Sequence, residues 1–197
     1  WRFAMAAYFV GKRLTDDEQA RQQLWALGRD AGKHAVELAP DCAPCHMFTA
    51  INMVLYGESV GVVKMLTTLG EIRSLLERSY ALDPGFAYAG APRLLGLIDH
   101  KLPRLLGGDP DRARRYFEEA IALDPDGPLN YQLYARLLED QNRIEDALHM
   151  ARRGLAVPMP SADRVEDLSA YAQLHQYVPA LETKLAERKS KKLGVRR

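Results

Sequence analysis

The chain has 197 residues, 47% hydrophobic and 27% charged, which supplies a buried core and argues against a disordered chain. A formal net charge of +1 excludes a global field for nucleic acid, so no nucleic-acid partner is expected. No run reaches the ~18 apolar residues that a membrane-spanning helix needs.

Trp1–Val10 is apolar but lacks a signal-peptide layout. Phe3, Ala6, Ala7 and Val10 recur at helical spacing, and Gly11 is placed to cap that helix. Thr15 to Glu18 reads as a capping box that opens a second helix. This helix should run to about Leu38 with Ala31, Ala35 and Leu38 inward, and Pro40 ends it. The phrases AVELAP, SYALDP, AIALDP and GLAVP close at Pro40, Pro84, Pro125 and Pro158, each reading as a last helical turn and a stop. The intervals are 44, 41 and 33 residues. The surplus in the longer units falls at 57–69 and 102–110, where loops are expected. Within the second, Asp109 is the expected cap and Pro110 the first helical residue. After the Pro160-Ser161 linker, one helix from Asp163 to Tyr177 and another starting at Pro179 are expected. From Lys184 onward there are seven Lys/Arg and one Glu, a basic tail after a mildly acidic body. No alternating strand pattern of useful length is present.

Ala113/Phe117/Ala120 and Ala147/Ala151/Gly154 repeat one pattern at an offset of 34 residues, around a second helix marked by Leu133, Tyr134, Ala135 and Leu138. This period belongs to stacked helix-turn-helix repeats, and the segment resembles a tetratricopeptide repeat (TPR). The expected fold class is all-α, a TPR-like helix-turn-helix α-solenoid with two enlarged repeats. It should occupy 1–183 as one domain, with 184–197 as its tail. Ala89 to Gly96, Leu102-Pro103, Gly107-Gly108-Asp109 and Ala113 to Ala120 are also similar to the T component of TRAP-type transporters, a likeness covering about 40–125. That resemblance implies a bacterial periplasmic or membrane-associated envelope protein that associates with a substrate-binding protein, with a cytoplasmic location as the alternative. The sequence is also similar, over 60–125, to the eukaryotic regulators of microtubule dynamics, which rank second because the Gly-Gly-Asp loop fits the bacterial family better.

Cys42-Ala43-Pro44-Cys45-His46 contains both cysteines of the chain. CxxCH is the string that holds a c-type haem, with two thioethers and an axial histidine. It also fits a Cys42–Cys45 disulfide with His46 packed in the fold, or a metal pair with further ligands. All three readings stay open at this level. The leading expectation is no cofactor, and covalent haem c is the alternative.

In TPR-like repeats the first helix of each pair lines the concave face. Carrying that over places Met47, Ile51 and Val54 there in one unit, Arg93, Leu97 and His100 in the next, and Gln132, Arg136 and Glu139 in the third. Such a groove suits a peptide or an amphipathic solute. Protein partners, a homo-oligomer or a larger complex are therefore expected. Membrane association is expected only through an anchor outside this sequence or a partner. Asp99 and His100 are adjacent and point apart on a helix, and Gly107-Gly108-Asp109-Pro110 lacks the lysine and strand of a phosphate loop. With no nucleophile elbow either, no enzyme is expected.

Overall fold

A computed structural model describes residues 1–194, and among these there are helices and no strand. Two compact units divide at Leu95/Gly96.

The first unit holds α1 (Arg2–Arg13), α2 (Glu18–Leu38), α3 (Ala43–Val60), α4 (Val62–Leu82) and the start of α5 (Phe86–Lys101). Asp17, not Thr15, caps α2: its Oδ1 accepts from the backbone N–H of Gln19 at 2.8 Å and of Ala20 at 3.3 Å. The Thr15 hydroxyl donates back to Val10 O instead. Gly11 is not a cap. It lies inside α1, where a Cβ would fall 2.5 Å from Trp25 Nε1.

The buried face of α2 also differs from the expected one. Trp25, Gly28 and Gly32 are buried, Ala31 and Ala35 only partly, and Leu38 is 74% exposed. A Cβ at Gly28 would sit 2.4 Å from Asn52 Oδ1, and one at Gly32 2.4 Å from Thr49 Oγ1. The helices therefore meet backbone to side chain, and the contact is carried by residues that hydrophobic periodicity does not score. Asn52, fully buried, donates through Nδ2 to Ala4 O at 2.8 Å and Phe48 O at 2.7 Å, which ties α1 to α3.

The surplus at 57–69 is not a loop. α3 continues to Val60, Gly61 turns at φ 134°, and α4 begins at Val62. The extra residues are added helical turns. After Pro84 the backbone of Ala87, Tyr88 and Ala89 is left-handed, at φ 51°, 57° and 61°. Each such residue costs an L-amino acid about 1–2 kcal/mol. The Arg93 guanidinium offsets part of this by donating to Tyr88 O at 2.8 Å and Ala87 O at 3.4 Å.

The second unit contains the rest of α5, a 3₁₀ turn at Arg104–Leu106, α6 (Pro110–Leu123), α7 (Pro128–Asp140), α8 (Ile144–Ala156) and α9 (Val165–Gly194). Asp109 caps α6 with Pro110 at its first position, as expected. Ala113, Phe117, Ala120, Ala147 and Ala151 are all at 0% exposure. Gly154 completes the second set, since a Cβ there would meet Leu174 Cδ1 at 2.8 Å. Around them pack Tyr134, Leu137, Leu138, Ile144, Leu174, Val178 and Leu181. Asn142, at φ 66°, makes the turn between α7 and α8.

The two helices expected after Pro160 are one. α9 runs through Pro179, which is exposed, while Leu174, Val178 and Leu181 bury their side chains to either side of it. Packing of that inner face offsets the backbone bond that a proline inside a helix removes. The basic stretch from Lys184 continues α9 as far as Gly194, and 195–197 lie outside the described residues. Arg164 joins the start of α9 to the end of α6: it meets Asp124 at 2.5 Å and Asp167 at 2.9 Å, with all three side chains at 12% exposure or less.

Candidate functional site

Cys42 is the N-cap of α3, and its sulfur is bonded to that of Cys45. The Cys45 N–H points at Cys42 Sγ, 3.2 Å away. Cys45 is 2% exposed and Cys42 is half-buried. His46 is 6% exposed, and its Nε2 lies 2.8 Å from Pro40 O. A carbonyl only accepts, so Nε2 carries the proton; in the uncharged ring Nδ1 is then a bare acceptor. It is buried with no hydrogen-bond partner among the described residues. As placed, these residues do not fit a thioether haem: the sulfurs are joined to each other, and the imidazole is turned to the backbone of the preceding turn. The described residues also contain no His/Cys/Asp/Glu group able to hold a metal.

Met47 belongs to the core of the first unit, 3% exposed, and a Cβ on Gly90 would approach its sulfur to 2.8 Å. Ile51 and Val54 are half-buried on the same helix. A cleft of about 230 Å³ opens beside Met53 and Tyr56, lined also by Arg29, Asp30, Lys33, Gly57 and Thr68. Its cations are engaged. Arg29 stacks over the Tyr56 ring at 4.5 Å and pairs with Asp30 at 2.7 Å, and Lys33 pairs with Glu71 at 2.7 Å. The bond from Arg29 holds the Asp30 carboxyl below its ordinary range. Drug-sized ligands occupy ~300–1,000 Å³, so this cleft has room for less.

Arg93 is occupied in holding the left-handed turn. In the second unit Leu97 is half-buried. His100 reaches Asp140 through Nε2 at 2.8 Å and meets Phe117 edge-on, 6.5 Å between ring centres. Burial lowers its pKa, and the Asp140 bond offsets only part of that. The three residues assigned to α7 all face α9. Gln132, 3% exposed, donates to Gln173 Oε1 at 3.1 Å, and the Arg136 guanidinium lies 4.9 Å over the Tyr177 ring. Glu139 accepts from Tyr177 OH at 2.6 Å and Lys184 Nζ at 2.8 Å. Burial alone would raise the Glu139 carboxyl, but these two donors outweigh it and hold it low, while burial and the Glu139 bond push the Tyr177 phenol up. Arg136 stays exposed and Glu139 partly so.

The loop expected at 102–110 raises one apolar surface. Leu105 is 98% exposed and Leu106 43%, on the 3₁₀ turn between Pro103 and the left-handed Gly107. A Leu-Leu pair reads as core in a sequence. Only the flanking proline and paired glycines signal a protruding turn.

The profile of the TRAP transporter T-component family matches residues 55–154, just over half of the chain. This protein belongs to that family. The match takes in α4, the left-handed turn, the Leu105–Leu106 turn and the α7–α8 repeat of this T-component. A second profile, that of the regulator of microtubule dynamics protein 1-3, matches residues 1–92, short of half and further toward the N-terminus than expected. A solved TPR protein from Thermus thermophilus, TTC0263, superposes with a TM-score of 0.57 at 21% identity, over 85% of this chain and 90% of its own. It shows the T-component fold to be all-α and TPR-like. MamA protein matches at a TM-score of 0.49 and 14% identity, over 98% of this chain and 96% of its own. None of the curated proteins compared with it matches the sequence. No described helix of the T-component is long and apolar enough to cross a membrane.

Proposed function

We propose that this T-component is a protein-binding scaffold of a TRAP transport system, docking on the system's substrate-binding protein in the periplasm. The observation that carries this reading is the family match over 55–154, which contains the most exposed large apolar side chain of the described residues, Leu105. An apolar pair raised on a turn and flanked by Lys101 and Arg104 is the usual composition of a docking point. The disulfide supports an oxidising compartment. In the first unit Ile51 and Val54 keep surface, and in the second Leu97, Arg136 and Glu139 do, whereas Met47 and Gln132 are buried. Attachment to the membrane would come through that partner or an anchor, and assembly is as a complex.

The test is binding of the purified protein to a TRAP substrate-binding protein, read by surface plasmon resonance. Leu105→Asp with Leu106→Asp should weaken binding roughly tenfold or more, as loss of an apolar anchor does, with the circular dichroism spectrum unchanged. Absence of binding, or equal binding by the double variant, would refute the proposal.

A further inference from the structure

We propose that Cys42–Cys45 is a thiol-exchanging disulfide, open to attack at Cys42 by a dithiol, and not a structural staple. This goes beyond the scaffold reading and does not rest on it.

The bond adds little to the stability of the fold. It spans a sequence separation of 3 and lies within the first turn of α3. The backbone already fixes that turn through Cys45 N–H to Cys42 O at 3.0 Å and His46 N–H to Cys42 O at 3.3 Å. A cross-link over so short a loop removes little freedom from the unfolded chain, and it joins no two elements. Anchoring of the α3 N-terminus falls to other groups: Ser79 Oγ donates to Ala43 O, and His46 Nε2–H to Pro40 O.

The two cysteines are also unequally accessible. Cys45 is 2% exposed and sealed, whereas Cys42 keeps exposed surface at the helix end. An incoming thiol therefore reaches one sulfur and not the other. Local charge favours a thiolate at Cys42. Cys42 sits at the N-terminus of an 18-residue helix, with the Cys45 N–H directed at its sulfur. Peptide N–H groups and the positive helix end favour a thiolate there, which makes Cys42 the stable leaving group of the second step. The buried His46 Nδ1 acceptor, unpartnered in the oxidised protein, lies next in sequence to the sulfur that becomes a thiol on reduction.

A thiolate of the partner dithiol attacks Cys42 Sγ. The new S–S bond forms as the Cys42–Cys45 bond breaks, and the electron pair goes to Cys45 Sγ, which takes up a proton. The partner's second thiolate then attacks its own sulfur in the mixed disulfide. The Cys42 thiolate leaves, and the partner carries the disulfide. Two electrons pass from the partner to this chain.

The test starts from the oxidised full chain, incubated without denaturant in graded mixtures of reduced and oxidised dithiothreitol, acid-quenched, alkylated and weighed intact. The expected result is a sharp transition to two alkyl groups per chain while the helical circular dichroism is retained, with the first label under limiting reagent mapping to Cys42. Cys45→Ser should form a mixed disulfide with oxidised glutathione at Cys42, roughly tenfold or more faster than Cys42→Ser does at Cys45. A disulfide reduced only upon unfolding would overturn the proposal. So would equal reactivity of the two single variants. The wild-type reduction decides the matter if either variant fails to fold.

Discussion

Arg112 grips Asp99 with two guanidinium nitrogens, Nε at 2.5 Å and Nη2 at 2.6 Å, and Asp99 is 1% exposed. The same Nη2 reaches Gly107 O at 2.9 Å, and Asp109 N–H donates to Asp99 O. One pair therefore fastens α5 to α6 and pins the intervening turn that raises Leu105. Arg112→Met would take both guanidinium bonds away from a buried carboxylate. Breaking a fully buried pair costs about 3–5 kcal/mol. Arg112 is 37% exposed, so water takes over part of its role and the expected loss is about 2–3 kcal/mol in urea unfolding. A variant as stable as the wild type would show that the pair is ornamental.

Two glycine substitutions should move stability in opposite directions. Gly32→Ala gains helix propensity of about 1 kcal/mol. It also forces a Cβ to 2.4 Å from Thr49 Oγ1 and 3.0 Å from Thr49 Cα, and overpacking of this kind costs about 1–3 kcal/mol. The clash with backbone wins, so the variant should be less stable by up to about 2 kcal/mol. Gly70, exposed within α4, has nothing within 4 Å of its missing Cβ, so Gly70→Ala should stabilise by about 0.5–1 kcal/mol. Chemical denaturation of both proteins reads the signs, and a stabilising Gly32→Ala would contradict the close α2–α3 approach.

His100 gives the fold an acid-side weakness. Its folded pKa lies below the ordinary 6.5 because its side chain is 5% exposed. Between the folded value and 6.5 the unfolded chain binds a proton that the fold refuses, so stability rises with pH through that window. The contribution is complete above 6.5 and is lost as pH falls toward the folded value. His100→Asn should therefore show a shallower decline of the urea midpoint between pH 7 and pH 5. Parallel curves for the two proteins would remove His100 from the explanation.

Ala120→Arg tests the repeat register. Ala120 is fully buried, and Asn130 Nδ2 bonds its carbonyl oxygen at 3.2 Å. A guanidinium has neither space nor a counter-charge at that point, so the second unit should fail to fold, read as loss of cooperative melting. Wild-type melting would mean that the 34-residue offset was misassigned.

Much of the second unit was legible because its inward residues are apolar and evenly spaced. Ala113/Phe117/Ala120 and Ala147/Ala151/Gly154 lie where the period put them. The first unit hides the same register. Gly28/Gly32/Ala35 precede Pro40 at the same spacing of four and three, and Ile72/Leu76/Ser79 precede Pro84. The last three are at 0–1% exposure. Two glycines in place of an aromatic and an alanine carry no hydrophobic signal, so the reading of α2 settled on Ala31, Ala35 and Leu38 instead. The groove positions were assigned from helix pairing alone. That logic knows which helix comes first in a pair, but not that Arg93 would be taken by a strained turn or that α9 would lie against Gln132, Arg136 and Glu139. Side-chain partners from distant segments leave no periodic trace.

The left-handed run at Ala87–Ala89 makes this stretch of the chain epistatic. While Arg93 is present, its guanidinium carries part of the conformational cost, and alanine and tyrosine are tolerated where glycine would be at ease. Remove the arginine, and the same two residues become liabilities. Glycine at 87 or 88 should then emerge as an intragenic suppressor of an Arg93 lesion. The permitted amino acids at 87 and 88 are thus set by the residue at 93, and lineages that lose one solution would be expected to acquire the other.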